Sequence, residues 1–448
     1  MDKSWSQVEL VREAFHYQSR FDGSTMVFKI DFPVTESPIF PSMVKDLALL
    51  SQTGFRVVIV PGAKEWIDTV LKENRIELRY NASLRISSAA AMPFVQMAAF
   101  HSASQFMTGF SSSRVDAVIG NFIRARGLGV IEGIDMEHTG TVDKLYLDSL
   151  RRILNLGMVP ILPCIGWNSS GKPYNVSSDE IALEASKNLK AQKLFIVSSY
   201  GGIKKENFNI PEKALAMESI QTGEDGRITR LTPQEASMLL EAGSSGSNAE
   251  NRKIRSDLSM AVKALDAGVE RVHIIKGGEE GAILKELFSN LGSGTMIHAD
   301  EYESIREIRS RDIADMLRLM EPLMQQGMLI RRNPEDIQNK KQDYAVFEID
   351  GKIRACGALH PWDEEQGEIA AIATDPTYTD MGLGRSMIRY FIDKAKKLNL
   401  KRVFVLTTSS HDWFESLGFS ESSVESLPQA KRMIYDHNRN SRIFALTL

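Results

Sequence analysis

Residues 368–384 read EIAAIATDPTYTDMGLG and run straight into RSMIRYFIDKAKKL. Glu368 opens an apolar strand-like run. Downstream, Gly382 and Gly384 open an amphipathic helix. Glycines there let backbone N–H groups approach a ligand closely, and a helix N-terminus favours negative charge, so the turn makes a cradle for a diphosphate. A bare GxG also occurs at helix entries for steric reasons alone. Here a strand precedes it, VFVLTT (403–408) follows, and WFESLGF (413–419) closes the unit. Thr407 and Ser410 place hydroxyls at the end of that later strand.

Two sets of elements have to position such groups. In the first, β-rich apolar runs recur at 26–30, 57–60, 117–119, 159–165, 194–198 and 272–275. Helical patterns lie between them, at 178–190 and 256–267 for example, and a short amphipathic helix over 7–21 precedes them. This predicts an α/β fold of βαβ units around a largely parallel sheet. The Gly/Ser/Asn-rich stretch 242–251 (AGSSGSNAEN) reads as an exposed loop inside that domain, because the alternation resumes after it. The second set has another rhythm: helix 310–326, strands 344–349, 353–360 and 368–374, helix 384–398, strand 402–407, helix 412–417 and strand 443–447. The expected layout is an N-terminal helix (1–20), an α/β domain (21–297), a linker (298–305) and a smaller α/β domain (306–448).

Composition narrows the class. The net charge of −4 over 448 residues gives no basic face for nucleic acid. The two cysteines, Cys164 and Cys356, lie far apart in apolar runs, so they build neither a disulfide framework nor a metal site. The start, MDKSWSQVELVREAF, intersperses charge among its apolar residues, and no run approaches bilayer length, so a cytoplasmic protein without a membrane partner is expected.

The segment 368–384 resembles motif A of the GNAT acetyltransferases, although Thr379 stands where that family usually carries Arg or Gln. GMLIRRNPE, GEIAAIAT, VFVLTTSSHDWFESLGF and YDHNRNSRIF, in this order, resemble the N-acetylglutamate synthase family, which joins an amino-acid-kinase-like domain to a GNAT domain. The resemblance implies acetyl-CoA as cosubstrate, held by Ile372, Ala373, Thr374, Thr379, Asp380, Met381, Gly382, Leu383 and Gly384. It implies Glu368 as the base, directly or through a water, and Thr407 (or Ser410) as the hydroxyl that protonates the leaving thiolate. L-Glutamate would be held by Arg332, Arg439 and Ser441, with Lys431 as a further contact; arginine forks suit its carboxylates. No metal is implied.

The first domain resembles the amino-acid kinase fold. Lys29, Arg85, Asn175 and Asp179 match kinase-site positions, but Asp31 and Phe32 replace a glycine pair, PGAKEW replaces a triple glycine, and Asp257 falls at a phosphate-binding lysine. Like charge facing a triphosphate opposes binding. Residues 273–297 resemble a feedback site for L-arginine, with Glu286 meeting the guanidinium and main chain around Gly292 and Gly294 assisting. The N-terminal helix, with Phe15 and Tyr17, resembles the segment that joins subunits in arginine-sensitive relatives, implying a homo-oligomer with a hexamer among its forms. Two other readings stay open: an active N-acetylglutamate kinase with an accessory GNAT domain, and a non-catalytic arginine-sensing scaffold.

Overall fold

The apolar runs of the first domain lie side by side because they are covered on both faces, which is what a parallel sheet requires of its strands. In the computed structural model they form one sheet of eight strands: β1 (Thr25–Ile30), β2 (Arg56–Pro61), β3 (Ala117–Ile119), β4 (Val159–Ile161), β5 (Lys193–Ser198), β6 (Arg230–Leu231), β7 (Arg271–Lys276) and β8 (Thr295–His298). Their order is β6-β8-β7-β5-β1-β2-β4-β3. β1 pairs in parallel with β2 and β5, and β5 with β7, whereas β8 runs antiparallel to β7. Alternate residues feed two cores. Val27, Val58 and Ile196 enter one, and Phe28, Ile59 and Phe195 enter the other. The structure describes residues 18, 21, 23–208, 222, 225–243, 248–288, 293–299, 303–349, 351–376, 378 and 382–448. Phe15 and Tyr17 therefore lie outside the described residues.

Three expectations need correction here. The run 159–165 is not one strand: β4 stops at Ile161, and Ile165–Trp167 joins a separate four-stranded sheet. Pro163 lies between them and cannot donate to a ladder. The stretch 242–251 is not all loop, because a helix α1 (Pro233–Ala242) ends at its first residue and a helix α2 (Ala249–Asp266) starts within it, capped by the Asn248 side chain, which accepts from Asn251 N at 2.7 Å. The segment 298–305 is not all linker either, since its end belongs to a strand of the second sheet.

That second sheet comprises β9 (Glu303–Glu307), β10 (Tyr344–Ile349), β11 (Lys352–Pro361), β12 (Gln366–Thr374), β13 (Arg402–Thr407), β14 (Ser420–Ser422) and β15 (Arg442–Thr447), ordered β9-β10-β11-β12-β13-β15-β14. The two compact units of the chain are Met1–Asp300 and Glu301–Leu448. One face of the second sheet packs on a helix α4 (Ile313–Gln325) through Met316, Met320 and Met324 against Val346, Cys356, Ala371 and Ala373. A helix α5 (Leu383–Lys397) presents buried Met387, Ile388 and Phe391 on its inner face. No helix among the described residues is long and apolar enough to cross a membrane.

Candidate active site

Glu368 stands where the sheet changes character. β12 and β13 pair in parallel through Gln366↔Arg402, Gly367↔Val403 and Glu368↔Phe404. Ala371 then takes φ 57°, an uncommon conformation for a side-chain-bearing residue inside a strand. The β11–β12 register slips there, with Cys356 opposite Ala373 and Ala358 opposite Ala370, so two residues of β12 face Gly357 alone. Such a bulge bends the strand that carries it. Gly357 must be glycine: an added Cβ would lie 2.5 Å from Ile372 Cδ1 and 2.7 Å from the Phe391 ring.

The bent half of β12, with Ile372, Ala373 and Thr374, leads to the glycine turn. Gly382 caps α5 at φ 69°, and a Cβ on Gly384 would lie 3.2 Å from the Trp413 ring and 3.7 Å from Thr374 Cγ2. The first turn of α5 carries no acidic residue, while Lys394, Lys396 and Lys397 occupy its last turn, matching the helix dipole. Backbone N–H groups at a close-packed glycine entry fit a diphosphate. Leu383 is buried, and Thr379, Asp380 and Met381 lie outside the described residues.

The Glu368 carboxylate is buried and accepts three hydrogen bonds. Lys431 Nζ donates to Oε1 at 2.9 Å and to Oε2 at 2.7 Å, and the Trp362 indole donates to Oε2 at 2.9 Å. Lys431 comes from a helix α7 (Gln429–Met433) and lies 5.0 Å from the centre of the Trp362 ring, so cation–π attraction adds to the pair. Lys431, expected on the substrate, here faces Glu368. α6 is the short helix His411–Ser416. Thr407 Oγ1 accepts from Ser410 N at 2.9 Å in the turn before α6 and keeps its own proton to donate, whereas Ser410 is exposed.

Arg332 belongs to the same wall. Its Nε donates to Tyr344 Oη at 3.1 Å, and the Tyr344 ring meets His360 edge-on at 5.5 Å. His360 is the register partner of Glu368 across the β11–β12 pair, and its Nδ1 lies 2.7 Å from Asp343 Oδ2. Burial pushes the Tyr344 hydroxyl above its ordinary pKa despite Arg332, and burial pushes His360 below its own despite Asp343. Arg439 donates to the Met328 carbonyl at 2.6 Å, holding the loop that carries Arg332. Ser441 is buried, and its carbonyl accepts from Tyr435 Oη at 2.6 Å. Sequence reasoning missed Trp362, His360 and Asp343. The signal was in HPWDEEQGE: Asp363 accepts from the N–H of Glu365 (2.9 Å) and of Gln366 (2.6 Å), closing a hairpin that puts His360 opposite Glu368.

In the first unit, the kinase-like positions close on one another. Lys29 pairs with Asp31 and, at 2.8 Å, with Asp179; Lys253 joins Asp31 at 3.0 Å and Asp257 at 2.5 Å. Burial holds Asp257 up at about 6 despite Lys253; burial would raise Asp179 as well, but Lys29, Lys253 and Lys64 together hold it down at about 2. Phe32 is stacked on Trp66, and Gly62 fits so close to the Asp31 backbone that a Cβ would lie 3.2 Å from its Cα. Arg85 is tied to Asp68 at 2.7 Å, and Asn175 donates to Ser87 Oγ at 3.0 Å.

Glu286 lies in a short helix α3 (Ala282–Phe288) with its carboxylate buried rather than open to a pocket. His273 Nδ1 is 2.7 Å from Oε1, and the N–H groups of Ser293 (2.6 Å) and Gly294 (2.8 Å) donate to Oε2. Burial would raise this carboxyl, but those donors hold it below its usual value; burial takes His273 down to about 4. Gly294 has no room for a side chain, since a Cβ would lie 2.3 Å from the Ile274 carbonyl. Gly292 lies outside the described residues.

Known proteins share this architecture. Residues 29–276 match the amino acid kinase family, and residues 311–419 match the acetyltransferase (GNAT) family. The amino-acid acetyltransferase of Escherichia coli strain K12 is 32% identical over 452 residues, covering 98% of both chains. That of Pseudomonas aeruginosa strain LESB58 is also 32% identical over 452 residues, covering 98% of this chain and 99% of its own. N-acetylglutamate synthase from Neisseria gonorrhoeae, solved with coenzyme A and L-arginine, is similar with a TM-score of 0.80 and 31% identity, covering 98% of this chain and 99% of the other. The same enzyme with coenzyme A and N-acetyl-glutamate gives 0.60 and 33% over the same shares.

Proposed function

The chain belongs to the amino-acid acetyltransferases, and we propose that it moves the acetyl group of acetyl-CoA onto the α-amino group of L-glutamate, opening arginine biosynthesis. One observation carries the assignment of the site: the buried Glu368 carboxylate sits where β12 parts from β13, on the same wall as Arg332. Acetyl-CoA supplies the activated thioester, its diphosphate on the glycine entry of α5. Glu368 takes the proton from the substrate ammonium, Thr407 offers its hydroxyl to the departing sulfur, and Arg332 with Arg439 receives the substrate carboxylates. Ser441 lines the same end. A cytoplasmic location and homo-oligomeric assembly through residues 1–20 belong to the same proposal.

Kinase chemistry is disfavoured on a specific ground. Lys29, at a kinase-site position, is already paired with Asp31 and Asp179, and Asp257 stands where a second phosphate-binding lysine would be. A purely sensing scaffold would have no use for a carboxylate held at the splayed strands. The direct test is thiol release from acetyl-CoA with a panel of amino acids. L-Glutamate is expected to support turnover, with aspartate and glutamine poor; equal rates with glutamine would remove side-chain carboxylate recognition from the assignment.

L-Arginine is the proposed effector, acting near Glu286. A carboxylate offers about four lone-pair sites, and His273, Ser293 and Gly294 take three of them. A guanidinium can use the remaining site or displace one of these donors, which moves the turn before β8. An effector shifts an equilibrium only through such a difference in contacts. Glu286→Ala is therefore expected to bring the ratio of rates with and without millimolar arginine to one. A variant as arginine-sensitive as the parent would place the effector elsewhere.

A further inference from the structure

Acetylating an ammonium removes two protons from the nitrogen. One ends on the CoA sulfur as the thiol, so the other has to reach solvent once per turnover. On the proposed reading, Glu368 receives a proton first, and Glu368 is buried. Two of its neighbours cannot take the proton onward. Lys431 is an ammonium with no lone pair, and the Trp362 indole nitrogen is a donor only. Both already donate to the carboxylate.

His360 is different. It stands directly opposite Glu368 in the antiparallel pair β11–β12, so both side chains project from the same face with Cβ atoms about 5 Å apart. Asp343, from the turn before β10, lies 2.7 Å from Nδ1 and, as a carboxylate, can only accept, which fixes the Nδ1–H tautomer. Nε2 is thereby left with its lone pair. The ring keeps about 15% of its side-chain surface exposed, against 9% for Glu368.

The geometry points to the His360–Asp343 pair as the exit for the second proton. Glu368 passes the proton it took from the substrate to His360 Nε2, directly or through one water. Its carboxylate is restored, an imidazolium forms against Asp343, and the proton leaves from that imidazolium to solvent. No bond other than N–H and O–H changes. The charged and titratable groups facing the ring are Asp343, Glu368 from β12, Tyr344 from β10 and Arg332 from the loop after α4. Burial keeps the ring neutral at neutral pH, able to accept, and Asp343 steadies the cation once it forms. His360 acts through Glu368, so it is a positioning and relay residue rather than the base itself.

The inference rests on Glu368 as base, and its test separates the two. His360→Gln is expected to lower kcat by about 10- to 100-fold, at or below the low end of what a general base contributes, with KM for glutamate little changed. Added imidazole should restore much of the loss, which a merely structural role would not allow. Unchanged kcat, or a loss that imidazole does not relieve, overturns the relay. If His360→Gln no longer binds acetyl-CoA and so fails to fold, Asp343→Asn decides. A lower kcat at unchanged KM supports the relay, and an unchanged kcat overturns it. Failure of Glu368→Gln to affect turnover would instead sink the reading beneath it.

Discussion

Glu368→Gln is expected to lower turnover at neutral pH by about 10²–10⁴, the size of a general base's contribution, while acetyl-CoA binds as before. The substitution preserves shape. Glutamine still offers an oxygen to Lys431, which loses its counter-charge but keeps a hydrogen-bond partner, so some stability is lost while the hairpin that presents residue 368 stays closed. What disappears is the capacity to hold a proton taken from the substrate. On the proposed reading, acetyl-CoA binding rests on other parts, the backbone at the glycine entry of α5, where Gly382 takes φ 69°, and the bent half of β12. Initial rates of thiol release at saturating substrates, beside a calorimetric titration with acetyl-CoA, check both halves. Turnover equal to the parent's would move the base elsewhere; loss of acetyl-CoA binding would mean that residue 368 holds the splayed strands in place rather than catalysing.

Much of this site was legible because its signals are local. A strand ending in a glycine turn that opens a helix is a short-range pattern, and β12, α5 and β13 fall within a residue or two of their expected places. The parallel sheet of the first unit was legible for a related reason, since strands buried on both faces are continuous apolar runs. The side sheet around Ile165–Trp167 was not, because strands of three to six residues give little periodicity to read. Charge pairing was also hidden. Lys431 and Glu368 are far apart in sequence, and nothing local to α7 says that its lysine faces a carboxylate instead of substrate. His360 and Asp343 escaped for the same reason: their meaning comes from the register of a hairpin and from the strand beside it. The sequence resemblance makes Glu286 a guanidinium ligand, yet its three internal donors come from β7 and the turn before β8, which only the folded chain brings together.

The Lys431–Glu368 pair sets the second large expectation. Both groups are nearly out of water, and a buried charge left without its partner is costly, whereas the intact pair against two neutral groups is close to balanced. Lys431→Met should therefore destabilise the second unit by about 3 kcal/mol, because it leaves a buried carboxylate with the Trp362 indole as its remaining donor. Adding Glu368→Gln to that variant removes the stranded charge and should recover much of the loss. The resulting coupling is well beyond the roughly 0.5 kcal/mol within which independent sites add. Amide exchange along β12 reads the opening of this unit separately from the first, whose unfolding would otherwise mix into a global melt. Additive effects would mean that the two charges are solvated well enough to stand alone. A recovered double variant that still fails to turn over would separate the part the pair plays in stability from the part it plays in turnover.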